Sequence, residues 1–95
     1  MSDVNEQSRL AEKLSGTVSA IIDKHRYTIA PMLAEGGVTH AALQNDAAVR
    51  TVAGYCYLML PGLLRLAIRE PTFVDFVMRH REKLLARLVE QPVQN

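Results

Sequence analysis

Cys56 is the only thiol in the chain and so the first place to look for nucleophilic chemistry. A catalytic cysteine needs a neighbouring base and an electropositive, partly open setting, because the thiolate is the reactive form. Cys56 instead falls in Gly54-Tyr55-Cys56-Tyr57-Leu58-Met59, an apolar run. That context predicts a buried thiol acting as a small hydrophobe.

Metal or acid–base chemistry would fall to His25, His40 and His80, which are far apart in sequence. None pairs with another ligand type at the three- or four-residue spacing that places two ligands on one helix face. His25 and His80 both fall on apolar stripes and could meet in the core. The plainer expectation is two amphipathic rings at the core edge, each with one hydrogen bond. Glu35-Gly36-Gly37 lacks the longer glycine pattern and the Lys-Ser/Thr of a phosphate loop, and reads as a helix terminator. Glu70 and Asp75 flank Pro71 and suit negative charge at a helix N-terminus. No catalytic residue, cofactor or metal site is expected from these patterns.

Arg79, Arg81, Lys83 and Arg87 form the strongest electrostatic feature and are the candidate anion contacts. Glu82 and Glu90 interrupt them, and no aromatic residues interleave for stacking. The candidate recognition helices, Leu63–Arg69 or Phe73–Leu88, are poor in the side chains that read base edges. A solvated helix face is the default reading.

The elements that must position these residues follow from composition and period. Ninety-five residues make one domain, and hydrophobic residues are 48% of them. A chain this small cannot hide that much apolar side chain behind its own surface, which predicts burial against another chain. The net charge is +1, with residues 1–46 at −2 (four Lys/Arg against six Asp/Glu) and residues 47–95 at +3 (seven against four). That mild asymmetry suits antiparallel self-association as well as an anionic partner. A lone cysteine excludes an intramolecular disulfide and fits a reducing compartment, so a cytoplasmic location is expected. Residues 1–6 show no basic segment followed by an apolar one, so no secretory signal is expected. The longest uncharged stretch, Thr51 to Leu64, is too short to span a bilayer.

Residues 1–7 are polar and read as a flexible tail, 8–91 as a helical domain, and 92–95 as a C-terminal tail. From Ser8 the apolar positions Leu10, Leu14, Val18, Ile21, Ile22, His25, Ile29, Met32 and Leu33 make one helical stripe. Pro31 predicts a kink, and Gly36-Gly37 an end. Thr39 suits an N-cap, with Val38 and Leu43 as a hydrophobic staple, and Asn45-Asp46 offers a second start. The helix running to about Leu60 carries a narrow ridge, Ala47, Thr51 and Gly54, that lets another helix approach closely. With Tyr55 and Leu58 this ridge is the candidate interface. Tyr55 and Tyr57 point in different directions, so at least one is expected at a surface.

After Pro61-Gly62, Leu63, Leu64, Leu66, Ala67 and Ile68 form a short apolar helix, stopped by Glu70-Pro71. Thr72 to Asp75 reads as a capping box for a last helix through Phe73, Phe76, Val77, His80, Leu84 and Leu88. The middle helices, apolar on more than one side, should be central, with the first and last covering them. The expected fold is all-α, an irregular four- to five-helix bundle in a single domain. The function expected first is a non-enzymatic interaction or adaptor module, a homo-oligomer with a dimer favoured or bound to another protein. Behind it stand a nucleic-acid-binding regulator using the basic last helix, and a peripheral membrane protein that opens to expose Tyr55–Ile68.

Overall fold

The computed structural model describes residues 2–35 and 37–89. Among them the chain forms six α-helices, two 3-10 turns and no strand. The all-α class is therefore as expected. The helices are α1 (Ser2–Lys24), α2 (Arg26–Leu33), α3 (Asp46–Met59), α4 (Gly62–Ala67), α5 (Glu70–Arg79) and α6 (Arg81–Leu85). The 3-10 turns are His40–Gln44, before α3, and Ala86–Leu88, after α6. The polar residues expected as an N-terminal tail continue α1, which begins at Ser2. The expected C-terminal tail, 92–95, lies outside the described residues.

Two of the expected helices are each divided at a histidine. His25 separates α1 from α2, and His80 separates α5 from α6. Both take nearly the same backbone conformation, φ −110°, ψ 25° and φ −111°, ψ 22°, in the sparsely occupied region between helix and strand. Helical hydrogen bonding passes through each. His25 N–H donates to the Ile21 carbonyl and Ile29 N–H to the His25 carbonyl; His80 N–H donates to Phe76 and Leu84 N–H to His80. Each histidine is thus a bend that keeps the apolar stripe running past it. The kink expected at Pro31 lies upstream, at His25, while Pro31 sits inside α2.

α2 ends at Leu33, with Ala34 already extended. Gly37 takes φ 133°, a conformation that only glycine adopts without strain. Val38 and Leu43 are both buried and pin the 3-10 turn to the core, as a staple would. The second start signal is the one that opens α3: the Asn45 side chain accepts a hydrogen bond from Ala48 N–H at 3.2 Å. α4 ends ahead of Glu70-Pro71, as expected, and Pro71 itself lies in the first turn of α5. Its ring pre-sets the backbone angle there, and its missing N–H has no intrahelical partner to lose. Thr72 consequently falls inside the helix and caps nothing.

α3 is the central element and packs on α1, α2 and α5. Its inner stripe is Val49, Val52, Ala53 and Cys56, each fully buried. Ile22 from α1, Ile29 from α2, Phe73 and Val77 from α5, and Leu84 and Leu85 from α6 close around it. Each fully buried side chain of this size contributes about 1.5–3 kcal/mol relative to exposure. One expectation fails here. α4, expected at the centre, buries none of its residues.

Candidate functional site

The outward face of α3 and the whole of α4 form one corner of the molecule. Ala47, Thr51 and Leu58 are all exposed, and Gly54 is half-buried among them. A Cβ built on Gly54 meets only the Glu70 carboxylate, at 3.8 Å. Among the described residues nothing therefore packs tightly on the ridge at Gly54. Tyr55, expected in the same interface, is turned inward instead. Its hydroxyl lies 3.3 Å from His25 Nδ1, and the two rings meet edge to face at 5.7 Å. Its place one helical turn beyond Thr51 suggested an outward side chain, but its ring closes the α1–α2 bend.

In α4, Leu63 is 82% and Leu66 86% exposed. They lie three residues apart, on one face of the helix. At the end of α3, Leu58 is 62% exposed and Met59 41%. The helix is nonetheless held in place. The Tyr57 hydroxyl lies 2.8 Å from the Ile68 carbonyl and 3.1 Å from that of Arg65, where a helix end leaves acceptors unsatisfied. The Tyr57 ring rests on Phe73 at 5.5 Å, which anchors this clamp in the core. Both Tyr55 and Tyr57 are half-buried, and the fully outward tyrosine is Tyr27.

Beside this corner, a groove of about 660 Å³ runs between α3 and α5. Pro71, Val74 and Met78 supply its apolar wall, and Asp46, Arg50, Glu70, Asp75 and Arg81 its charges.

Three of the four basic residues singled out as anion contacts are paired with carboxylates. Arg79 pairs with Asp75 at 3.0 Å, Arg81 with Asp46 at 2.6 Å and Arg87 with Asp23 at 2.6 Å. Arg81 also donates to the backbone carbonyls of Met78 and Leu43, tying the His80 bend to the start of α3. The hydrogen bond and the charge of Arg81 hold the Asp46 carboxyl below its ordinary range. Lys83 is exposed and makes no ion pair among the described residues.

Cys56 is fully buried, and burial pushes its thiol up to about 12. It is therefore protonated at neutral pH and screened from reagents, as the apolar run implied. His25 is engaged by Tyr55, whereas the His80 ring lies tilted against Phe76, centroids 4.7 Å apart. Among the described residues no three His, Cys, Asp or Glu side chains come together as a metal site. No described helix is long and apolar enough to cross a membrane. The chain matches no protein-family model, and no match is found among curated proteins or solved structures.

Proposed function

We propose that this chain is a non-enzymatic helical interaction module that self-associates, as a dimer, through the corner formed by α4 and the outer face of α3. The observation that carries this reading is an apolar helix with no buried residue, held in a fixed position by Tyr57. Leaving Leu63 and Leu66 in water forgoes about 1.5–3 kcal/mol for each, which a second chain recovers by covering them. A closed two-fold dimer is the commonest way for one surface to cover itself. The lone buried thiol suits a reducing compartment, the cytoplasm being the natural one.

Mass in solution, measured by light scattering at micromolar and at sub-millimolar concentration, tests this reading. Dimer mass at the higher concentration is the expected result, and a strict monomer at both rejects it. A peripheral membrane protein is the second reading, favoured by the nearness of Arg65 to Leu63 and Leu66. It no longer requires the protein to open, and flotation with anionic vesicles separates it from the first. Nucleic-acid binding through the last helix has less support, because three of the four cations already meet carboxylates.

A further inference from the structure

The α4 corner lies at one end of the α3/α5 groove. Gly54 lies beside Glu70 at one end of the groove, and Arg81 meets Asp46 at the other, so α3 and α5 run antiparallel along it. α4 joins the end of α3 to the start of α5 and therefore sits at the Glu70 end. Two patches placed side by side can cover each other reciprocally across a two-fold axis.

The two patches also differ in charge. α4 has no carboxylate, and neither Arg65 nor Arg69 makes an ion pair among the described residues. The groove holds three carboxylates, Asp46, Glu70 and Asp75, against two guanidiniums, Arg50 and Arg81. Glu70 has no ion-pair partner among the described residues.

Resting on the self-association reading, we infer that the occupant of the groove is α4 of a second copy of this chain. Leu63 and Leu66 lie along the apolar wall, and Arg65 and Arg69 face Glu70 at the groove's rim. Gly54, at the lip of the groove, leaves room for the two chains to approach closely. Leu58, Met59, Leu63 and Leu66 are 62%, 41%, 82% and 86% exposed, apolar surface of the kind that marks an interaction site where it is contiguous. Seating them in the groove of the partner copy, twice over, buries this surface together with the groove wall, and a specific interface needs about 1,200 Å² or more in all.

Charge-reversal rescue is the test, with mass read by sedimentation and folding checked by thermal melting. The wild type, Leu63→Glu, Arg65→Glu, Glu70→Arg and the double variant Arg65→Glu/Glu70→Arg are compared. The expected result is a dimeric wild type and a monomeric Leu63→Glu. Arg65→Glu and Glu70→Arg each weaken the dimer about tenfold, and the double variant recovers most of that loss. A dimer that ignores all four variants overturns this interface and leaves self-association standing. So does loss in both single variants without recovery in the double. A monomeric wild type overturns the interface and the self-association reading together. Binding of that monomer to phosphatidylglycerol vesicles, lost in Leu63→Glu, assigns the corner to a lipid surface instead.

Discussion

Arg81 and Lys83 are two residues apart and carry the same charge, yet their surroundings set them different tasks. Arg81 holds two backbone carbonyls and the Asp46 carboxylate, while Lys83 extends into water. Arg81→Gln is expected to destabilise the fold by about 1.5–3 kcal/mol, the range for a lost hydrogen bond made by a charged group. Lys83→Gln should stay within about 0.5 kcal/mol of wild type. Chemical denaturation of the two single variants checks both. The Asp46 carboxyl is held lower in the folded chain than in the unfolded one. Its contribution is therefore complete above the ordinary carboxylate value and fades as the pH falls through the folded value. Melting midpoints of wild type and Asp46→Asn should separate at neutral pH and converge in acid. Cys56 carries a prediction of opposite sign. Its thiol stays protonated well past the ordinary value of about 8.5, so an aromatic disulfide reagent should react only as fast as the protein opens. Rapid native-state labelling at mildly alkaline pH would show that the α3 core is not closed.

Gly54 tests the elements themselves. It sits inside α3, where glycine is less favourable than alanine by about 0.5–1 kcal/mol, and among the described residues a methyl there meets only the Glu70 carboxylate, at an ordinary 3.8 Å. Gly54→Ala should therefore raise the monomer's stability by about that amount while weakening self-association. Urea melts at low protein concentration isolate the first effect, and sedimentation the second. The same helix shows what the residues made legible. The inward stripe of α3 and the exposure of Ala47, Thr51 and Leu58 both follow from helical spacing. The His25 and His80 bends do not, because hydrogen bonds and apolar spacing continue through them and leave no mark in the pattern. Pro71 was ambiguous between stopping one helix and starting the next, since its geometry serves both. The apolar content of α4 was plain, but a hydrophobic run does not say which surface covers it. The ion pairs of the basic residues were hidden for a different reason. Asp46 and Asp23, which meet Arg81 and Arg87, are remote in sequence, and no local pattern links them.

At the scale of the whole molecule, the 3-10 turn after α6 is tied back to the α1–α2 bend. Arg87 reaches Asp23 in α1, and Arg26 donates to the Arg87 carbonyl at 2.8 Å. This clasp joins residues 64 and 61 positions apart. Everything between them must already be arranged before the two guanidiniums can find their partners. Closing a flexible loop of that length costs roughly 3–4 kcal/mol in chain entropy, more than two exposed polar contacts return. The clasp therefore follows collapse around α3 and does not guide it. Its worth should appear on one side of the folding barrier only. In stopped-flow experiments Arg87→Gln should leave the refolding rate of wild type unchanged and speed unfolding, because contacts absent from the transition state act on escape from the native well. Slowed refolding in that variant would place the meeting of the α1–α2 bend and the Ala86–Leu88 turn inside the nucleus.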